Sequence, residues 1–503
     1  MKPPPKPQRR WSAIRMGAAL LTCAGWLAPL HAATPGVDAP PTAQPARAVA
    51  VPTMAEQRLT NGLTVAVTER HDVPLVSIVL LVRAGPEQDG ADRAGLAALT
   101  AALLTKGVQR GKTSLSASAL AQQAENLGST LDSASGWRAS SLSMTVTSAH
   151  LPAALGLMAQ ALRTPTLAAD ELERARAQAQ DALRLALGDP AEVAGQVMQR
   201  AFWGASPYGA NPSAASLARI GRADVQRFYA RFYRPEQTVL LLAGDVTAAG
   251  ALALAQSLLG DWKAGAATEA AVSLPPESGL PASSLPRLVR VDMPGSGQTG
   301  VVVAAPFAAA DAPDRRVGQV ANAVLGGGYS ARLNQKVRID AGKSYGAFSR
   351  GESQPGAGML VASAQTQHAS AAEVLRLLRG EITRMTQAPP GTDELAARQS
   401  NLVGSFARRL GSSGGLAALM LGQYAQGRPL DELRGYVEAV LAVTPDQVHD
   451  FARRHWRADA LRAVVAGDLQ AAGPALDEPD ALTLPVSALD LQTPLLTRSA
   501  PSK

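Results

Sequence analysis

The segment VQRFYARFYRPEQTVLLLAGDV at residues 225–246 indicates how the chain is organised, because a second copy, VHDFARRHWRADALRAVVAGDL, occupies residues 448–469. The identical residues keep a constant separation of 223 positions: Val225/Val448, Phe228/Phe451, Arg231/Arg454, Arg234/Arg457, Ala243/Ala466, Gly244/Gly467 and Asp245/Asp468. The tripeptide Asp-Glu-Leu recurs at the same separation, at 170–172 and 393–395. Agreement at two well-separated places indicates a tandem duplication.

Each copy shows the same order of predicted elements. Ala- and Leu-rich stretches at 151–187 and 371–386 have helical periodicity, whereas TVLLLAGDV (238–246) has the apolar run of a buried strand. Asn61-Gly62 between alternating segments predicts a hairpin turn. The sequence therefore predicts an α+β fold of two tandem homologous domains in a clam-like arrangement. Each domain is expected to have a largely antiparallel sheet with helices packed on one face.

The first 32 residues have the pattern of a signal peptide. Positive residues precede the short apolar stretch 16–30, and LHAAT offers small residues for cleavage near Ala32 or Ala33. Lipidation of Cys23 and a twin-arginine signal at Arg9-Arg10 are weaker alternatives, and we expect a periplasmic protein. The remaining boundaries predicted from composition are a tether at 33–53, an N-terminal domain at 54–262, a linker at 263–285, a C-terminal domain at 286–470 and a tail at 471–503.

Composition excludes several function classes. The leader holds five of the 48 Lys and Arg residues and no acid, so the net charge of the remainder falls from +7 to about +2. No basic cluster with interleaved aromatic residues suggests nucleic-acid binding, and no later stretch is long and apolar enough for a transmembrane segment. The only cysteine belongs to the leader, which leaves no thiol nucleophile and no cysteine metal ligand.

Five segments, in order, resemble the insulinase/pitrilysin peptidase family, especially its two-domain processing-peptidase branch. They are NGLTVAV (61–67), GLAALTAALLTKG (95–107), SPYG (206–209), FYRPEQTVLLLAGDV (232–246) and LGGGYSARLNQKVRIDAGKSYG (325–346). The resemblance covers residues 54–470. It implies a metallopeptidase fold whose active members bind zinc through a helical H-x-x-E-H motif.

This chain departs from the family at that motif. Aligning the motif with GLAALTAALLTKG places its two histidines at Ala98 and Ala102 and its glutamate base at Ala101. The more distant glutamate ligand corresponds to Ala182; Asp181 is adjacent, but it points about 100° around the helix. Catalytic zinc needs three protein ligands, and alanine provides none. We therefore expect no metal and no cofactor in this chain.

Other candidate sites are weaker. The histidines outside the leader, at 71, 150, 368, 449 and 455, form no i, i+3 or i, i+4 pair. GSSGG (411–415) matches G-x-S-x-G around Ser413, but the preceding segment has a helical pattern, whereas a nucleophile elbow follows a strand. LGGG (325–328) lacks the Gly-Lys-Ser/Thr of a phosphate-binding loop, so a flexible loop is the better interpretation.

The second half retains two residues to which the resemblance assigns a role. In active members an arginine and a tyrosine of the second domain help hold the substrate carbonyl, and they correspond here to Arg338 and Tyr345. A cationic guanidinium and a phenolic donor are suited to stabilising an oxyanion. The alternative is a surface arginine near a helix end and a tyrosine packed at the start of a strand.

The resemblance leads to two functional hypotheses. In the first, the chain is a subunit that is inactive alone, binds extended peptides and supplies Arg338 and Tyr345 to a homologous partner with an H-x-x-E-H motif. Zinc is then expected in the partner subunit only. In the second, the chain is a catalytically inactive peptide-binding or scaffold protein of the same fold.

Overall fold

The two copies of the repeat fold around two six-stranded sheets. The structure is a computed structural model that describes residues 49–90, 92–263, 286–493 and 496. The predicted signal peptide, the tether up to residue 48 and the predicted linker from residue 264 lie outside the described residues.

The first half contains eight strands and eight α-helices among the described residues. The strands are β1 (Met54–Arg58), β2 (Thr64–Glu69), β3 (Leu75–Val82), β4 (Gly107–Arg110), β5 (Thr113–Ser116), β6 (Asp132–Gly136), β7 (Ala139–Thr147) and β8 (Thr238–Gly244). The helices are α1 (Leu96–Leu103), α2 (Ala117–Asn126), α3 (Leu151–Arg163), α4 (Ala169–Ala186), α5 (Pro190–Trp203), α6 (Ala214–Arg219), α7 (Arg222–Phe232) and α8 (Ala248–Leu259).

The second half repeats most of this order. Its described strands are β9 (Leu288–Asp292), β10 (Thr299–Phe307), β11 (Ser344–Gln354), β12 (Ala357–Thr366), β13 (Arg462–Gly467) and β14 (Leu482–Pro485). Its helices are α9 (Arg315–Leu325), α10 (Arg332–Asn334), α11 (Ala371–Arg384), α12 (Thr392–Leu410), α13 (Ser413–Ala425), α14 (Tyr436–Leu441), α15 (Pro445–His455) and α16 (Leu469–Ala472).

The element bounds confirm the predicted duplication. A shift of 223 residues carries α7 onto the bounds of α15 and brings the start of α4 to the start of α12. The first sheet has the order β1-β2-β8-β3-β7-β6, and the second has the order β11-β12-β10-β13-β9-β14. In both sheets the neighbouring strands are mostly antiparallel; the parallel pairs are β2 with β8, β9 with β13 and β9 with β14.

Both faces of the central strands of the two sheets are buried. On β3, Ile78 and Leu80 pack with the helices of their own half, whereas Val79 and Leu81 face the opposite way into the core that contains α13. The helices of each half thus cover one face, as expected, and the other face is covered by a helix that was not predicted to lie there. Burial on both faces explains why β3, β8 and β10 have continuous apolar runs rather than alternating ones.

The covering helix of each sheet comes from the other half. Helix α5 of the first half packs on β10 and β13, where Val197 and Met198 join the core of the second sheet. Helix α13 of the second half packs on β3 and β8 in the same way. Gly300 in β10 permits this approach, because a Cβ there would lie 2.5 Å from the Pro190 carbonyl oxygen at the start of α5.

The segment after residue 470, which the sequence analysis sets apart as a tail, contributes an edge strand. In that segment β14 pairs in parallel with β9, and Leu484 is buried in the core that α5 shares with the second sheet. No helix in the described part of the chain is long and apolar enough to cross a membrane.

Candidate functional site

Helix α1, which corresponds to the zinc-motif helix, is intact as a structural frame. The side chain of buried Asp89 caps its N-terminus, where the Gly95 and Ala97 amides each donate to a carboxylate oxygen over 2.7 Å. Burial raises the pKa of Asp89 to about 7, against the lowering effect of those two hydrogen bonds. Helix α1 packs against α4, α7 and β6 within its own half.

The residues at the motif positions cannot hold zinc. Ala98 is exposed and Ala102 is half-buried on α1, while Ala101 points into the core with 1% of its surface accessible. Ala182 is exposed on α4, and the neighbouring Asp181 pairs with Arg184 at 2.7 Å. A methyl group has no lone pair to donate to a cation, so these positions do not fit the metal that the fold implies.

The histidines do not form a replacement site. His71 pairs with Asp245 at 2.8 Å and with Glu69 at 3.3 Å, and the hydrogen bond to Asp245 is the main reason why its pKa is raised. Each of the other histidines in the described regions contacts a backbone carbonyl oxygen, the Thr299 hydroxyl or the Asp314 carboxylate. Within residues 49–263 (except 91) and 286–493, no three His, Cys, Asp or Glu side chains are grouped to hold a metal ion.

Ser413 has a structural position rather than that of a nucleophile elbow. It is the first residue of α13, directly after the turn Gly411–Ser412 that follows α12. Ser412 caps α13 by accepting a hydrogen bond from the Gly415 amide, and Ser77 donates to Ser413 over 3.1 Å. Since a helix precedes the motif, the strand–turn–helix geometry of a nucleophile elbow is not formed.

The structure brings Arg338 and Tyr345 together with a third aromatic residue. The guanidinium carbon of Arg338 lies 4.6 Å from the ring centroid of Tyr345 and 5.0 Å from that of Tyr329. Both distances are within cation–π range. Tyr345 is 89% exposed, so it is not the packed tyrosine of the alternative interpretation. We call Arg338, Tyr345 and Tyr329 the arginine–tyrosine cluster.

Irregular backbone presents this cluster to solvent. Arg338 lies in a π-helical segment, Gln335–Asp340, that continues α10. The register of β11 against β12 shifts between Ser344 and Ala347, so Tyr345 lies on a bulge that turns its ring outward. Features of both kinds occur frequently at functional sites.

A buried asparagine fixes the spacing between the parts of the cluster. The side-chain Nδ2 of Asn334 donates to the Tyr329 carbonyl oxygen over 2.5 Å. Its Oδ1 accepts from the backbone amide of Ala347 over 3.3 Å. Asn334 is fully buried. Gly326 lets the preceding loop approach β11, because a Cβ there would lie 2.5 Å from the Ser349 amide nitrogen. Gly326, the first glycine of the run predicted to be a flexible loop, is thus held closely against the strand.

The guanidinium of Arg338 is available to a ligand. Among the described residues, no carboxylate pairs with it and no side chain or carbonyl accepts a hydrogen bond from it. The nearest carboxylate in sequence, Asp340, binds Gln335 at 2.9 Å and Lys336 at 3.5 Å. A desolvated carbonyl or carboxylate oxygen of a bound molecule could therefore accept from Arg338 without breaking an ion pair.

Sequence reasoning missed Tyr329 and Asn334. Tyr329 follows three glycines, and Asn334 is a polar residue on a helix that packs inward. Asn334 lies in sequence between Leu333 and Val337, which are both buried. A polar residue at such a position indicates a specific role, and this is the sequence pattern that could have identified Asn334.

Comparison with known proteins places the chain in a family. The model described as "Insulinase (Peptidase family M16)" matches residues 64–211, and that described as "Peptidase M16 inactive domain" matches residues 219–402. The chain belongs to the M16 peptidase family, as the resemblance predicted.

Its relatives include proteins described as proteases and as inactive homologues. An uncharacterized zinc protease of Mycobacterium tuberculosis is 28% identical over 61% of this chain and 69% of its own length. The non-peptidase homolog YmxG of Helicobacter pylori is 23% identical over 80% and 90%. A Pseudomonas fluorescens structure described as a peptidase M16 inactive domain is 26% identical, with a TM-score of 0.72 over 82% of this chain and 98% of that one.

The fold also matches the first half of the periplasmic protease PqqL from Escherichia coli. The TM-score is 0.67, over 86% of this chain and 96% of that one, at 15% identity. At that identity the similarity concerns the fold alone.

Proposed function

We propose that this chain is the zinc-free subunit of a periplasmic heterodimeric M16 peptidase. It binds extended peptides and supplies Arg338 and Tyr345 to the active site of a homologous partner that carries an H-x-x-E-H motif. The observation that carries the proposal is the contrast between the two candidate sites. Helix α1 lacks every metal ligand, whereas the arginine–tyrosine cluster is organised and exposed.

Helix α1 lacks the zinc ligands but keeps its N-terminal cap and its packing, which supports a retained role in assembly. Asp89 still caps α1, and α1 still packs against the helix that carries Ala182. Because each motif position is an alanine, the absence of zinc ligands leaves no polar side chain buried without a partner at these positions. The chain therefore keeps its fold, and α1 carries small apolar side chains where active members carry zinc ligands.

Arg338 and Tyr345 have a defined task in this proposal. The guanidinium N–H groups and the phenolic O–H donate to the carbonyl oxygen of the scissile peptide bond, on which negative charge develops as the partner's nucleophile attacks. The two tyrosine rings hold the guanidinium in place, which limits the entropy lost when the substrate binds. Asn334 acts through Tyr329 and Ala347 and is a positioning residue.

Peptide binding is assigned to a sheet edge. Strand β6 forms one edge of the first sheet and packs against α1. Its outer side leaves backbone N–H and C=O groups that an extended peptide pairs with by strand addition. The predicted signal peptide supports a periplasmic location, and the metal cofactor of the heterodimer is assigned to the partner alone.

Reconstitution tests this function. The mature chain is co-expressed with an H-x-x-E-H homologue from the same genome, and cleavage of a quenched fluorescent peptide is measured for each protein alone and for both. We expect co-purification and turnover by the pair only, with loss of turnover on chelation. Equal turnover by the homologue alone, without co-purification, would contradict the heterodimer and favour the scaffold hypothesis.

A further inference from the structure

A cationic cavity of about 420 Å³ lies between α9, α12 and α13. Its charged lining consists of Arg315, Arg316, Arg409, Arg428 and Glu432. Buried Phe307, Phe406 and Leu419 form an apolar floor, whereas Arg409 at the rim is exposed. No residue of the arginine–tyrosine cluster lines this cavity, so it is a separate site.

The positive charge of the cavity is not balanced by its own acid. Glu432 accepts from Arg428 and lies 3.2 Å from Arg315, which leaves a net charge of +3 among the lining residues. Arg316 donates to Gln319 and stacks at 4.3 Å on the ring of Tyr436. Among the described residues, neither Arg316 nor Arg409 has a carboxylate partner.

Arg315 has unused donors inside the protein. Its Nε and Nη1 atoms are buried without a hydrogen-bond partner in the described part of the chain. Burial lowers the pKa of Arg315 and of Arg316, but a guanidinium stays protonated at any physiological pH, so the positive charge remains. A buried cationic donor without an acceptor is costly, and a bound oxyanion would remove that cost.

Tyr436 lines the cavity together with Arg316 and Arg409. It accepts from the Gln319 amide over 2.8 Å, and the charges of Arg316 and Arg409 both oppose the increase in its pKa that burial causes. Arg316, which stacks on the Tyr436 ring, and Arg409 line the same cavity as Tyr436, so one small ligand there can contact both guanidinium groups.

We infer that this cavity binds a small ligand with two or more oxyanion groups, either carboxylates or phosphates. Guanidinium groups recognise both through paired N–H···O bonds. A volume of about 420 Å³ lies within the range of small-molecule sites, about 300–1,000 Å³. The buried apolar floor favours a small ligand over a segment of acidic peptide, which an open groove would suit better.

Isothermal titration of the full mature chain with citrate and with pyrophosphate tests this assignment and separates the two sources. We expect one of them to bind with a Kd below about 1 mM. Arg316→Gln and Arg409→Gln should each weaken that binding by about tenfold, since each removes a charge-assisted donor. Citrate binding alone would identify carboxylates, and pyrophosphate binding alone would identify phosphates.

Arg453→Gln is the matched control, because Arg453 is exposed on α15 and does not line the cavity. It should leave the Kd unchanged within about twofold, while the melting temperature of every variant reports folding. Arg409→Gln keeps the test decisive if loss of the Arg316–Tyr436 stack impairs folding, since Arg409 is exposed.

Three outcomes would overturn the inference. They are no binding of either anion at about 1 mM, equal binding by wild type and the Arg409→Gln variant, and binding of an acidic peptide but of neither small anion. None of these depends on peptidase activity, so the proposed function could fail while this site is confirmed, or the reverse.

Discussion

Asp89 shows how one buried carboxylate supports a helix that has lost its catalytic residues. Its two oxygens accept from the Gly95 and Ala97 amides at the start of α1, as a capping residue does. Burial nevertheless raises its pKa to about 7, from about 3.9 in an unfolded chain. The protonated form is therefore favoured in the folded state relative to the unfolded state.

This pKa shift predicts a pH-dependent contribution to stability. Because the pKa of Asp89 is higher in the folded state, its stabilising contribution is fully present below about pH 4 and is lost as the pH rises through about 7. Over that range the free energy of unfolding falls by up to about 1.4 kcal/mol per pH unit. Asp89→Asn cannot ionise, so the wild type should lose stability relative to this variant between pH 4.5 and pH 8. Urea denaturation at both pH values measures the difference.

Asp92→Asn is the control for Asp89→Asn, since Asp92 is a nearby exposed carboxylate that pairs with Arg93. It should show the same pH dependence as the wild type. A stability difference between wild type and Asp89→Asn that stays constant from pH 4.5 to pH 8 would refute the shift.

At the scale of elements, the α1–α4 pair retains the geometry of a site without its chemistry. Positions 98 and 102 are one turn apart on α1, and α4 packs against that helix. Ala98→His, Ala102→His and Ala182→Glu together should therefore create a zinc site, because two histidines at i, i+4 and one carboxylate make a catalytic ligand set. Calorimetric titration with zinc chloride should detect it.

The control for this rebuilt site moves the glutamate by one residue. A variant with the same two histidines and Asp181→Glu should bind zinc at least about tenfold more weakly, because residue 181 points about 100° away from residue 182. Equal affinity of the two triple variants would show that Ala182 is not the ligand position.

Much at this scale was predictable from the sequence. The identical residues 223 positions apart and the TVLLLAGDV run gave the duplication, and β8 is a fully buried strand. The packing of α5 and α13 on the sheet of the other half was not predictable. Amphipathic periodicity shows which face of a helix is buried but not which sheet covers that face. The bulge at Tyr345 depends on strand pairing, which local propensity does not encode.

At the scale of the whole molecule, the exchanged helices make the halves dependent on each other. Each half leaves one sheet face uncovered unless the other half contributes its helix. Burial of a large apolar side chain contributes about 1.5–3 kcal/mol, so losing several such contacts is comparable with a total stability of about 5–15 kcal/mol. The two halves should therefore unfold in one transition.

Separate expression of the halves tests this dependence. Residues 49–263 and 286–503 should each be aggregated or unfolded alone, and should form a native-like complex when co-expressed, as judged by circular dichroism and thermal unfolding. An intact chain cleaved after folding, at a protease site inserted between residues 263 and 286, provides the control and should remain associated. A stable monomeric half would contradict this mutual dependence.

The arginine–tyrosine cluster could be predicted only in part. The family resemblance pointed to Arg338 and Tyr345, but Tyr329 and the clamp by Asn334 required the loop and strand to be seen together. The cationic cavity could not be predicted at all, because its arginines are dispersed in sequence and come together only when α9, α12 and α13 pack.

We propose that this chain completes a partner's active site through Arg338 and Tyr345. The most direct test is the kcat of the reconstituted pair carrying Arg338→Ala or Tyr345→Phe, beside Arg376→Ala, which alters an exposed arginine of the same half. We predict that kcat falls by about 10²–10³ for each cluster variant and is unchanged for Arg376→Ala, because loss of one oxyanion donor has that effect. Undiminished turnover with both cluster variants would contradict the claim.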